Sequence, residues 1–194
     1  MPLNAAEKRN AIGGEMARTI TEVAKNPFFT KKIKFRNNRY QHREVGVRLL
    51  FLEKCYQEGK VIDTKKPFLD QFVRTHREGK SAEVLKLKGA VTKILKKMLP
   101  VFLDKDVLLM AQASVPIYFL LFREAILTGK VASLSRSLFV KFHEARQQNR
   151  EIAAKDITKA QFELLEYGRL SQQGTNDASS IKERLSIISK YCGI

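Results

Sequence analysis

The side chains that could support acid–base or metal chemistry are few and scattered. The chain has three histidines, none with a second histidine four residues away: His42, His76 and His143. The pair His143-Glu144 therefore lacks the second histidine of a zinc-binding helix. Asp104 and Asp106 fit helix capping better than two-metal chemistry. These residues form no active site, and the sequence predicts no cofactor and no metal.

A more informative group lies at residues 31–43, which we call the basic segment. Its thirteen positions contain no acidic residue and six cations: Lys31, Lys32, Lys34, Arg36, Arg39 and Arg43. Phe35, Tyr40 and three amide side chains are interleaved with them. Cations neutralise phosphates and release counterions, while amides and aromatic rings add hydrogen bonds and stacking. The segment predicts contact with the phosphate backbone of DNA; the alternative is a solvated loop followed by a helix start.

The charge of the whole chain also favours contact with a polyanion. Lysine and arginine number 36 against 20 acidic residues, which gives a net charge of +16. Residues 1–100 carry 23 basic and 10 acidic residues, whereas residues 101–194 carry 13 and 10. A basic N-terminal half beside a nearly balanced C-terminal half indicates a surface that faces a polyanion. The alternative is a basic protein whose charge serves only solubility.

Cysteine usage and apolar stretches indicate the compartment. Cys55 and Cys192 form no Cys-x-x-Cys pair, so a reducing cytoplasm is the simplest location. The most apolar stretch, residues 107–122, contains Gln112 and Pro116. It is shorter than the roughly 20 apolar residues that a bilayer span requires. We therefore expect a cytoplasmic protein without membrane contact.

Helical periodicity runs through almost the whole chain, and no alternating β-pattern appears. Val45, Leu49, Leu52 and Tyr56 fall on one stripe of a helix over about residues 42–57. A chain of 194 residues with 44% hydrophobic residues is long enough to bury a real core. The sequence predicts an all-α fold: one multi-helix, bundle-like domain of about seven or eight helices.

Local signals predict helix ends in the first half. Gly13-Gly14 weakens a helix over residues 4–25. Gly79 lies beyond the end of a short helix that follows Pro67. Ser81 is expected to cap the next, long helix, which Pro100 ends.

Similar signals follow in the second half. Asp106 can cap an apolar helix that Pro116 kinks or splits, and this helix should lie at the centre of the fold. Residues 158–161 fit a capping box. Asp177 can cap the last helix.

Glu44 and Arg48 stand four residues apart on one predicted helix. This spacing favours an intrahelical ion pair. In the alternative, Arg43 or Arg48 reaches a nucleotide or a neighbouring domain.

Three stretches place charged residues at particular positions among apolar ones: residues 3–11, 39–51 and 174–185. The residues concerned are Glu7, Arg9 and Asn10 in the first stretch, Arg39, Glu44 and Arg48 in the second, and Ile181, Arg184 and Leu185 in the third. These stretches resemble the ParB/sulfiredoxin-like nuclease family, which includes the GmrS half of the GmrSD-type restriction systems. Within the second stretch, His42 stands where an acidic residue is more typical and Gly46 where an aliphatic one is.

The resemblance implies a helical C-terminal portion that follows a ParB-like catalytic domain. The Asp-Gly-Gln-Gln-Arg signature of that domain occurs nowhere in the sequence, and neither does a His-Asn-His nuclease constellation. Residues 1–30 would then be the lead-in from a missing N-terminal ParB-like domain.

The function that the resemblance implies is a DNA-contacting and scaffold module of a GmrSD-like restriction or anti-phage nuclease. The module would work with a ParB-like catalytic domain in cis or in trans, and we expect no catalysis by this chain alone. Six phosphate contacts would give a slope of roughly −5 in log K against log salt. Two alternatives stay open: a protein-interaction module that binds no nucleic acid, and an enzyme that uses isolated residues such as His143, Glu144 and Arg146.

Overall fold

The computed structural model describes residues 2–78 and 81–194, and this part of the chain is all-α, as predicted. Its nine α-helices are α1 (Ala5–Ile12), α2 (Gly14–Ala24), α3 (Gln41–Gln57), α4 (Lys66–Thr75), α5 (Ser81–Met98), α6 (Ser114–Leu127), α7 (Arg136–Lys155), α8 (Phe162–Leu170) and α9 (Ala178–Cys192). Short 3₁₀ turns and one π-type turn, Phe28–Lys32, lie between them. The predicted roles of Gly79 and of the Ser81 side chain lie outside the described residues.

The first predicted helix is two helices, α1 and α2, that meet at Gly13 and Gly14. Both glycines have positive φ angles, +69° and +81°. A Cβ atom on Gly14 would lie 2.5 Å from the Arg77 carbonyl oxygen, and that same carbonyl accepts a hydrogen bond from the Glu15 amide at 3.2 Å. Because the chain passes so close to the end of α4, only glycine fits at position 14.

The apolar helix α6 lies at the centre of the fold, as its sequence predicts. Every residue from Val115 to Phe122 is buried, and α6 contacts α3, α5 and α9. Helices α2, α3 and α5 pack against one another on one side, while α7, α8 and α9 pack together on the other. Pro116 neither kinks nor splits α6, because it lies in the first turn, where its missing N–H has no helical partner to lose.

An aromatic cluster joins the two sides of the core at Phe102. Its ring stacks on Phe139 with centroids 5.7 Å apart and meets Tyr118 edge-on at 5.2 Å. Phe28 and Phe122 complete the cluster at 6.0 and 6.4 Å. The buried Phe102 ring therefore fixes the loop after α5, and this loop contacts the basic segment.

Two predicted helix caps are wrong in their details. Residues 158–161 form no capping box: Asp156 caps a 3₁₀ turn through the Thr158 amide at 3.0 Å, and α8 begins after it. Asp177 stands at the start of α9, but its carboxylate pairs with Lys65 at 2.7 Å. The amide of Ala178 donates instead to the Asp63 carboxylate, at 2.8 Å. Asp63 stands 115 positions before Ala178, so no local sequence pattern predicts this cap.

Among the described residues, no helix combines the length and apolar character needed to cross a membrane.

We expect Phe102→Ala to lower the free energy of unfolding by about 3–5 kcal/mol, because it leaves a cavity where four rings meet. Leu103→Ala is the matched control, since this neighbouring side chain is 57% exposed, and its effect should stay within about 0.5 kcal/mol. Urea unfolding measures both. Equal effects of the two variants would show that the cluster does not anchor the core.

Candidate nucleic-acid interface

The first part of the basic segment is held by buried apolar side chains and by backbone hydrogen bonds. Phe28, Phe29 and Ile33 are fully buried. The Lys105 amide donates to the Lys31 carbonyl, and the Asp106 amide to the Lys32 carbonyl, both at 2.9 Å. The cations of this part therefore project from a backbone that is fixed against the loop after α5.

Asp106 anchors that loop from within. Its buried carboxylate accepts hydrogen bonds from the Leu103 and Leu108 amides at 2.9 and 3.1 Å, and from Nε of Arg136 at 2.7 Å. Burial acts to raise the pKa of Asp106, but these hydrogen bonds and the Arg136 charge outweigh it and hold the pKa below its ordinary value. The predicted cap is confirmed for the short turn Val107–Leu109 rather than for α6.

Three of the six predicted phosphate-binding cations are available on the surface. Lys31, Lys34 and Arg36 are exposed, and none of them forms an ion pair with any described residue. Lys105 lies beside them, with its Nζ donating to the Thr30 carbonyl at 3.0 Å. Lys105 could not be assigned to this surface from the sequence, because it stands more than sixty positions from the basic segment.

The other three cations contact partners within the chain. Lys32 pairs with the exposed carboxylate of Asp104 at 2.7 Å. Arg39 donates to both Glu7 carboxylate oxygens, at 3.0 and 2.8 Å, and this hydrogen bonding lowers the pKa of Glu7 to about 2. The third cation, Arg43, contacts Asn10. The acidic partners, Asp104 and Glu7, lie far away in the sequence. A stretch of sequence without acidic residues can therefore still lie next to acidic side chains on the folded surface.

Arg43 lies over the Tyr40 ring, 4.1 Å from its centroid, and donates to the amide oxygen of Asn10. Tyr40 and Arg39 both have positive φ angles, 66° and 50°, which are strained for residues other than glycine. The side-chain amide of Asn4 donates through Nδ2 to the Arg39 carbonyl at 3.0 Å and holds this turn. The end of the basic segment, which includes the first turn of α3, is thus fixed to α1 and to the residue before it.

An ion-pair network around the buried Arg9 joins α1, α3 and α4. Arg9, only 3% exposed, pairs with Asp70 at 2.8 Å and with Glu44. The predicted intrahelical pair between Glu44 and Arg48 is confirmed at 3.0 Å, and Lys66 pairs with Asp70. Three cations share two carboxylates, so the network carries a net charge of +1.

The structure brings together the three stretches that carry the family resemblance. The first contacts the second through Glu7–Arg39, Arg9–Glu44 and Asn10–Arg43. Thr175 and Asn176 of the third stretch line the same small cavity as Arg48 of the second. The resembling residues therefore lie on one side of the fold, although they come from both ends of the chain.

The three histidines occupy separate sites. His42 is buried against the rings of Phe29 and Phe35, with centroids 5.7 and 5.5 Å away, and burial lowers its pKa. His76 is buried against Phe72, whereas His143 is exposed. Within residues 2–78 and 81–194, no three histidine, cysteine or acidic side chains lie close enough to hold a metal ion.

Comparison with family models, with curated protein sequences and with solved structures gives no match to this chain.

Glu44→Gln should lower the free energy of unfolding by about 1.5–3 kcal/mol, because it leaves Arg48 without a carboxylate partner among the described residues and Arg9 with Asp70 alone. Glu163→Gln is the control: it removes a carboxylate whose pairing with Lys190 is exposed, and such pairs contribute at most about 1 kcal/mol. Urea unfolding compares the two. A loss no larger than the control's would mean that the network does not hold α1 in place.

The stabilisation by Asp106 should depend on pH in a defined direction. Its folded-state pKa lies below the ordinary value of 3.8, so its contribution is present above that value and is lost as pH falls through the folded pKa. We expect wild type to exceed Asp106→Asn in unfolding free energy near neutral pH, with the gap narrowing as pH falls below the ordinary value of 3.8. Glu151→Gln, on an exposed part of α7, is the control. A gap that widens in acid would contradict this assignment.

Proposed function

We propose that this chain is the helical DNA-contacting and scaffold module of a GmrSD-like restriction or anti-phage nuclease. The observation that carries the proposal is a set of three exposed cations, Lys31, Lys34 and Arg36, that form no ion pair with a described residue and stand on a backbone that is fixed at both ends. A fixed array of cations binds phosphates without the cost of ordering a flexible loop. Such contacts provide affinity for DNA without a choice of sequence.

Lys32 can add to this surface, because its partner Asp104 is exposed. An ion pair of this kind contributes little in water and exchanges readily for a phosphate. Arg39 and Arg43 serve a different role in this proposal. Their contacts with Glu7 and Asn10 hold the segment in shape, so they position the phosphate-binding cations rather than bind DNA themselves.

The scaffold part of the proposal rests on the side of the fold where the three resembling stretches meet. In this proposal a ParB-like catalytic domain, in cis or in trans, performs the cleavage beside this side of the module. The cytoplasm is the compartment in which such a nuclease would meet DNA. Both buried cysteines are free thiols, as a reducing compartment allows.

A second candidate function is a protein-interaction module that docks a ParB-like or other partner without nucleic acid. Three large apolar side chains beside the basic segment favour it: Leu103, Val107 and Met110 are 57%, 56% and 62% exposed. An apolar patch with a charged rim is typical of protein interfaces.

DNA binding at several salt concentrations tests the first proposal. We expect the triple variant Lys31→Ala, Lys34→Ala, Arg36→Ala to bind more weakly and to reduce the steepness of log K against log salt by roughly 2.7, since each phosphate contact contributes about 0.9. The matched control, Lys141→Ala, Lys155→Ala, Lys182→Ala, removes the same charge from exposed lysines of α7 and α9 that pair with no acid in the described part of the chain. It should keep most of the wild-type slope.

If the two triple variants lose DNA affinity equally, the loss comes from the lower net charge alone. That result would contradict a DNA-binding surface at the basic segment. A folded wild-type chain that binds no DNA at low salt would favour the interaction module. In that case, capture of a ParB-like domain should survive nuclease treatment and weaken in Val107→Ser, Met110→Ser.

A further inference from the structure

A small polar cavity separate from the exposed cations of the basic segment lies beside Arg48. Its volume is about 140 Å³, and its polar lining comes from four parts of the chain: Arg48, Thr64, Gln112, Thr175 and Asn176. The cavity lies between the middle of α3, the start of α6 and the turn before α9. No acidic side chain is among its lining residues.

Arg48 reaches this cavity with part of its hydrogen-bonding capacity unused. One terminal nitrogen donates to Glu44 at 3.0 Å, but Nε is buried and has no partner among the described residues. A buried N–H without an acceptor costs about 1–3 kcal/mol. Burial, reinforced by the charge of Arg9, lowers the pKa of Arg48 to about 10. Arg48 also shares its one carboxylate, Glu44, with Arg9, so an anion in the cavity that Arg48 lines would compensate its charge further.

A second buried arginine adds positive charge behind the cavity wall. Arg184, only 1% exposed, donates to the carbonyls of Ala113 and Thr175 at 3.2 and 2.9 Å. It has no acidic partner in the described part of the chain, and both carbonyls belong to residues that line the cavity. The acids next to the lining residues Thr64 and Asn176, Asp63 and Asp177, both pair with Lys65, so among the described lining residues Arg48 is the one charged side chain.

We propose that this cavity binds a phosphate-type oxyanion through Arg48, with Gln112 and Thr175 as further donors. Arginine presents N–H groups in a planar fork that matches an oxyanion edge. At about 30 Å³ per water, the volume corresponds to roughly five waters, which suits a tetrahedral oxyanion. It is smaller than the roughly 300–1,000 Å³ of sites for drug-sized ligands. The anion is therefore a free phosphate or a terminal phosphate group that enters from outside.

This inference does not depend on the proposed DNA-contacting function, because different residues carry it. Isothermal titration in chloride buffer with inorganic phosphate, and separately with adenosine monophosphate, tests it. We expect wild type to bind one equivalent of at least one of them. Binding of phosphate alone would identify a free oxyanion as the ligand. Binding of the nucleotide alone would identify a terminal phosphate.

Two variants connect binding to the cavity. Arg48→Lys keeps the charge but loses Nε and the fork, so affinity should fall about tenfold or more. Gln112→Leu removes a donor outside the ion-pair network and should weaken binding about threefold, even if Arg48→Lys fails to fold. Arg169→Lys, an exposed residue of α8, is the control and should bind like wild type. The proposal is overturned if folded wild type binds neither probe, or if Gln112→Leu and Arg48→Lys bind as tightly as the control.

Discussion

The buried guanidinium of Arg9 is the interaction on which the N-terminal half of the structure depends. A guanidinium that is 3% exposed needs compensating carboxylates, and Glu44 and Asp70 supply them from α3 and α4. Helix α1 buries little else, since Ala6 is its only other buried residue. Charge pairing rather than apolar burial therefore determines where α1 lies, and the neighbouring contacts of Glu7 and Asn10 follow from that position.

The placement of α1 has a direct effect on the basic segment. With α1 fixed, Asn4 and Glu7 hold Arg39 in its strained turn, while backbone hydrogen bonds from Lys105 and Asp106 hold the segment's other end. The middle of the segment is left with exposed cations and a defined backbone. Rigidity and exposure occur together because the anchors lie at the two ends, outside the exposed part.

The positive charge of the chain is divided between its surface and its interior. Arg9, Arg48 and Arg184 are counted in the net charge of +16, yet they are buried or nearly so. Burial also lowers the pKa of Arg146, whose guanidinium lies 4.4 Å from the centre of the Tyr167 ring. Composition alone thus overstates the charge that faces a polyanion, and it does not reveal positive charge gathered around an internal cavity.

The sequence by itself determined the helices, because helical periodicity and helix-ending residues act within a few positions of the chain. The predicted helix over residues 42–57 is α3, and the apolar stretch before Phe122 is the central helix α6. Only the tertiary structure decided which cations are free. Lys32 and Arg39 meet acids 72 and 32 positions away, and Asp63 caps α9 from 115 positions away. Ion pairs and such caps form between groups that folding brings together, so a local pattern could predict the cations of the interface but not their partners.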